Sequence, residues 1–257
     1  MDNTLQNRPF TANALKLIAV AAMLIDHIAW AFVELDSPLG QAMHFIGRLT
    51  APLMCYFIAE GYHYTKDLQK YMLRLGIFAL ISHFPYVINT ALSKPPIYYS
   101  AGRITVNTEL FTPSTGVMYT LLLGLIALDL CKSDRKMPVK AIGLTGISLL
   151  ACFGDWLFFA VFWIVGFGMN RGNIKRQFIC YYIVTLLEMS VFFIPVLVGR
   201  TPFTEVIWQF GLLLPPLFIM LYNGKKGAGG KAFKYFYYWF YPVHLLVIGL
   251  LKWYVFI

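Results

Sequence analysis

Apolar runs long enough to cross a bilayer recur along almost the whole chain, separated by short polar clusters that hold most of the charge. A helix needs about 20 mainly apolar residues to span the hydrocarbon core. By that measure spans are predicted near 14–34, 42–62, 70–91, 113–131, 138–153, 155–170, 176–198, 203–222 and 234–255. The fifth and sixth are short and meet at Gly154-Asp155, which predicts a tight hairpin or a re-entrant pair. The segment 93–112, SKPPIYYSAGRITVNTELFT, has two prolines and no helical period, so it reads as a loop long enough to fold over the mouth of a site. Asn223 to Gly230, rich in Gly and Lys, reads as a second flexible stretch. The expected fold class is all-α: one polytopic transmembrane helix bundle of about nine helices, filling residues 1–257 as a single domain.

Composition sharpens this picture. Of the 257 residues 59% are hydrophobic and 13% charged, whereas a soluble domain carries about a quarter charged residues. The surplus apolar surface must face lipid. A formal net charge of +9 raises the question of nucleic acid, yet no basic helix with interleaved aromatics stands free of the apolar runs. Excess Lys and Arg in a multi-pass protein mark cytoplasmic loops instead, and no nucleic-acid partner is expected. Four cysteines, Cys55, Cys131, Cys152 and Cys180, are scattered without paired spacing, so neither a disulfide framework nor a metal site is predicted. The polar opening MDNTLQNRPFTANALK lacks the apolar core and cleavage site of a signal peptide, and the first span is expected to stay in place.

Orientation follows from the cations. With the N-terminus inside, the cytoplasmic segments hold fifteen Lys and Arg residues and the outer segments hold only Lys94, Arg103, Arg200 and Lys252. The expected topology is N-in and C-out, in the cytoplasmic (inner) membrane.

Ionisable side chains at bilayer depth are expensive and tend to line a functional interior. Asp26, His27, Arg48, His83, Glu188 and His244 all fall near mid-membrane on five predicted spans, which suggests a shared polar chamber. A carboxylate beside an imidazole can orient it and raise its basicity, so Asp26 is expected to serve His27. Arg48 either neutralises Asp26 or acts on a substrate, and Glu188, His83 and His244 taken singly read more readily as packing residues. A second polar level lies nearer the cytoplasm. Lys16 precedes His27 by eleven residues, three helical turns or about 16 Å along the same face. Glu60, Tyr62, His63, Lys70 and Arg74 fall at the same inner level. Such a mouth suits the phosphates of a cytosolic donor, or else its cations simply snorkel to the interface.

The run KLIAVAAMLIDHIAW from Lys16 and the block IGRLTAPLMCYFIAEGYHYTKDLQKYMLRLGIFALIS from Ile46 resemble the TraX family, as do TLLLGLIAL at 120–128 and FYPVHLL at 240–246. The resemblance touches both ends of the chain, while 132–230 matches mainly in hydropathy. It implies acetylation of the N-terminal amine of pilin subunits during conjugation. It also implies kinship with integral-membrane acyltransferases whose first helix carries a basic residue, ten intervening positions and then His, here Lys16 and His27. On that footing the candidate catalytic residues are His27, Asp26, Arg48 and Glu60. The candidate donor contacts are Lys16, Lys70, Arg74 and His63, and the candidate acceptor contacts are His83, Glu188 and His244. Two positions depart from the family pattern: His83 stands where an acidic residue is usual, and Gly116-Val117-Met118-Tyr119 where Asn is usual.

The expected activity is acyl transfer from cytosolic acetyl-CoA to an amine or hydroxyl of a peptide or envelope glycan, with His27 as general base and no metal. The alternative is a proton-coupled multi-pass transporter using the same mid-membrane groups. No internal repeat or matching pair of broken helices speaks for it.

Overall fold

The computed structural model describes residues 8–90, 92–100 and 102–256, and helix is nearly all of its regular structure. The predicted polar opening up to residue 7 lies outside the described residues. In chain order the helices are α1 (Ala12–Phe32), α2 (Pro38–Gly47), α3 (Thr50–Tyr64), α4 (Leu68–Thr90), α5 (Val117–Lys132), α6 (Met137–Ala151), α7 (Leu157–Met169), α8 (Ile174–Leu197), α9 (Pro215–Met220) and α10 (Lys231–Leu251). Five stretches are long and apolar enough to cross a membrane: α1, α2 with α3, α4, α8, and α10 with the π-turn that follows it. The fold is an all-α bundle of a membrane protein.

Side chains and neighbouring loops set the helix starts. Thr11, Ser37 and Asn173 cap α1, α2 and α8, accepting from the amides of Ala14, Gly40 and Arg176 at 3.3, 3.0 and 3.1 Å. The Gly/Lys stretch predicted to be flexible instead runs along the start of α1. Its Lys225 and Lys226 carbonyls accept from the amides of Ala12 and Asn13 at 2.9 and 3.1 Å, satisfying donors that a helix start leaves unpaired.

The predicted second span is split. Pro52 has no N–H to bond the Arg48 carbonyl, and the helix breaks at Arg48-Leu49 into α2 and α3. The predicted eighth span, 203–222, is not a continuous helix at all. It is two 3-10 segments, Phe203–Glu205 and Ile207–Leu213, followed by the short α9. Hydropathy reports burial and not regularity: Gly211 and the Pro215-Pro216 pair interrupt the run, and the segment lies along α2. The segment 93–112, expected as irregular loop, folds into a two-stranded antiparallel hairpin, β1 (Ile97–Ser100) with β2 (Arg103–Val106), and the 3-10 turn Thr108–Phe111. Gly102 supplies the positive φ, 78°, that its turn needs.

The core is built where α3, α5 and α7 meet, with Leu53, Leu125, Trp163, Ile164 and Phe167 almost fully buried. Helix α8 instead exposes Ile179, Ile183, Leu186, Leu187, Val191 and Ile194, a stripe that suits lipid. The cation-rich loops gather at one end of the bundle. There Tyr62 donates to Asp129 at 3.1 Å, Arg171 pairs with Glu60 at 2.9 Å, and His63 donates to the Gly168 carbonyl at 3.3 Å.

A close approach holds the broken segment against α2. A Cβ at Gly211 would sit 2.1 Å from the carbonyl oxygen of Phe45, a backbone atom that cannot swing aside. Gly211→Ala is expected to destabilise the protein by about 1–3 kcal/mol through overpacking, read as a lower melting temperature in detergent. An unchanged melt would mean that the segment is free to move off α2.

Candidate functional site

Asp26 and His27 are neighbours on α1, so their side chains point about 100° apart and find different partners. Asp26 faces α2. Its Oδ1 accepts from His44 Nδ1 at 2.9 Å, and its Oδ2 lies 3.8 Å from Arg48 Nη2. A Cβ at Gly47 would fall 2.1 Å from Asp26 Oδ1, so the close seating of Asp26 on α2 needs a glycine there. The Arg48 guanidinium lies between the rings of Trp156 and Trp208, 4.3 Å from each centroid. Trp156 reaches it from a left-handed turn, with φ of 64° at Trp156 and 49° at Leu157. Each such non-glycine residue stores of order 1–3 kcal/mol. Two hydrogen bonds fix that turn: the Trp156 amide donates to Asp155 Oδ1 at 3.0 Å, and the Thr120 hydroxyl to the Asp155 carbonyl at 2.7 Å.

His27 faces α10. Its Nδ1 lies 2.7 Å from His244 Nε2, and His244 Nδ1 lies 2.6 Å from the Phe240 carbonyl. A carbonyl only accepts, so His244 Nδ1 carries its proton and His244 Nε2 presents a lone pair. His27 Nδ1 must then donate to it, which leaves His27 Nε2 as the unprotonated nitrogen of a neutral ring. Among the described residues nothing bonds that Nε2. The expected orienting partner, Asp26, is corrected by this geometry: Asp26 holds His44 and Arg48, and His244 orients His27.

His27 lines a cavity of about 560 Å³ together with Asp26, Arg48, Asp155, Trp156 and Glu188. This cavity reaches Leu35, Thr90 and Glu205 at the end of the bundle away from the cation-rich loops. A second cavity of about 370 Å³ opens at the cation-rich end, lined by Lys16, Arg74, Lys226 and Lys234 among tyrosines 64, 71, 237 and 238. Lys16 Nζ lies 5.1 Å from the Phe57 ring centroid and pairs with no carboxylate among the described residues. Met54, Met118, Leu121 and Tyr237 line both cavities, so the two abut across a thin apolar partition.

The predicted site residues therefore divide. His27, Asp26, Arg48, Glu188 and His244 come together around the larger cavity, and Lys16 and Arg74 meet at the smaller one. Four predicted residues stand apart. Glu60 is tied to Arg171 far along α3 from the break at Arg48. His63 bonds Gly168, and Lys70 pairs with Asp67 on the surface at 2.9 Å. His83 packs beside Phe84 on α4 and lines neither cavity. His44, Asp155, Trp156 and Trp208 were not singled out by the sequence. Only His44 left a signal, its four-residue spacing from Arg48, which stacks the two on one helical face.

The family model described as TraX protein matches residues 11–252. A protein of Dichelobacter nodosus described as "Probable fimbrial assembly protein FimC, serogroup H1" is 33% identical over 251 residues, covering 95% of this chain and 96% of that protein. No solved structure matches.

Proposed function

We propose that this chain, which belongs to the TraX family, is a membrane-embedded acyltransferase that moves an acetyl group from acetyl-CoA to an amine or hydroxyl acceptor. It works in the cytoplasmic membrane, with its cation-rich end and N-terminus in the cytoplasm, as the loop charges favour. The observation that carries the reading is the free Nε2 of His27, held unprotonated by the His244–Phe240 relay in a cavity that abuts a cationic one.

The donor enters at the cytoplasmic end, its phosphates against Lys16, Arg74, Lys226 and Lys234. The thioester end passes the Met54, Met118 and Tyr237 partition; methionines suit such a passage because their unbranched side chains yield readily. The acceptor reaches the larger cavity from the other face. His27 Nε2 takes a proton from the acceptor as it attacks the thioester carbon, then returns it to the departing thiolate. Arg48, fixed between two indoles, supplies positive charge to the oxyanion. The relative's description as a probable fimbrial assembly protein supports a pilin-type peptide as the acceptor.

A proton-coupled carrier would need ionisable groups following one another across the membrane. Here the gap between the levels of Lys16 and His27 is faced by Met54, Met118 and Leu121, which favours transfer chemistry instead.

The test uses purified protein in nanodiscs with radiolabelled acetyl-CoA. Saturable binding by the wild type is expected, weakened about 10–100-fold in Lys16→Ala, as the loss of one charge-assisted contact of about 1.5–3 kcal/mol implies. A folded wild type that binds no acetyl-CoA would sink the reading.

A further inference from the structure

Acylating an amine makes a demand on the cavity that acylating a hydroxyl does not. An α-amine with a pKa of about 7.7–8.0 arrives mostly as ammonium at neutral pH. It must lose one proton to expose a lone pair and a second as the amide forms, while a hydroxyl loses only one. His27 Nε2 takes one proton per turnover, so an amine acceptor needs another base within reach.

Four carboxylates line the cavity; Glu205 sits at its outer end near Leu35 and Thr90, and of the other three two are engaged. Asp26 is held by His44 and Arg48, and Asp155 accepts from the Trp156 amide. Glu188 is the third. Its residue is 5% exposed, it lines the same cavity as His27, and its buried Oε2 has no hydrogen-bond partner among the described residues. A carboxyl oxygen left bare in an apolar wall is unfavourable by several kcal/mol unless a proton or a cation comes to it. Asp155 and Glu188 also have no Lys or Arg salt-bridge partner among the described residues, so neither is committed to an ion pair.

We propose that Glu188 receives the ammonium of an amine acceptor and takes its first proton. The inference rests on the acyltransferase reading. The steps balance. The ammonium gives a proton to the Glu188 carboxylate and becomes a free amine. Its lone pair attacks the thioester carbon while His27 Nε2 removes the second proton, the C–N bond forms and the C–S bond breaks. The imidazolium returns its proton to the thiolate, and Glu188 releases its own to solvent. One amide, one thiol and one proton result.

The experiment compares a short peptide bearing a free α-amine with the same peptide bearing a hydroxyl in its place, using acetyl-CoA and protein in nanodiscs, for wild type and Glu188→Gln. At pH 7 the variant is expected to lose about tenfold in amine transfer, because only the minor free-base fraction reacts. By pH 9, where the amine has shed its proton unaided, the two proteins converge. Hydroxyl transfer is the same in both at either pH. Equal loss with both acceptors, or a deficit that persists at pH 9, overturns the proposal. Wild-type transfer to the hydroxyl peptide alone overturns it too, yet leaves the acyltransferase reading intact. No wild-type transfer to either peptide overturns both. Melting in detergent checks the variant's fold. Glu188→Asp, which keeps the base, is expected to recover part of the pH 7 amine rate. If it melts like the wild type yet is no faster than Glu188→Gln at pH 7, the proposal fails.

Discussion

Replacing His27 with Asn is expected to lower the proposed acyl transfer by about 10²–10⁴-fold, the range that a positioned general base contributes, with acetyl-CoA binding and folding expected to persist. Asn is the sharper choice. Its amide nitrogen sits where His27 Nδ1 does and donates to His244 Nε2, a contact of 2.7 Å in the native protein, so the buried partner stays satisfied and the basic nitrogen alone is lost. Ala at the same position would also strand His244 Nε2, adding about 1–3 kcal/mol of unsatisfied polar burial that blurs the result. Single-turnover acetyl transfer from labelled acetyl-CoA measures the effect. Transfer by His27→Asn within tenfold of the wild type would remove His27 from the chemistry.

His244→Leu is expected to lower transfer by about 10–100-fold, in keeping with the loss of a partner that orients a working histidine, and His244→Gln by far less. The reason lies in the relay. The Phe240 carbonyl fixes the proton on His244 Nδ1, and this in turn fixes the proton of His27 on Nδ1. Leu offers no acceptor, so His27 is free to put its proton on Nε2 and lose its function as base. Gln can turn its carbonyl oxygen toward His27 Nδ1 and preserve the working tautomer. Equal rates for the two variants would show that His244 acts by packing alone. Donor affinity is expected to be unchanged in both, since the Lys16 cavity lies across the partition.

Seven of the nine predicted spans coincide with single helices, because an apolar run in a bilayer must satisfy its backbone internally. The second is split at Arg48-Leu49, and the eighth, 203–222, shows the limit. Its hydropathy arises because Trp208 and Leu212 are buried against the bundle, while Gly211 and Pro215-Pro216 deny it a regular helix. The gathering of Asp26, His27, Arg48 and Glu188 was legible from depth alone, since spans that alternate in direction bring residues of equal depth together. Their pairing was not. Whether Asp26 serves His27 or His44 depends on rotation about the α1 axis, set by Gly47 and by the packing of α2 and α10. Depth also misled at His83, which shares the level of the site and packs on another face of α4. Trp156 could not be foreseen, because nothing in WLFF announces two consecutive residues in the left-handed region.

The partition of Met54, Met118, Leu121 and Tyr237 bears on the cell as well as on the reaction. A water-filled tube joining the two cavities would be a hole in an energised membrane, and each charge crossing it would release about 2.3 kcal/mol per 100 mV. Four oily side chains from three helices, α3, α5 and α10, act as an insulator. In the proposed transfer they would part for an uncharged thioester arm and close behind it, so that the chemistry would run across the bilayer without short-circuiting it.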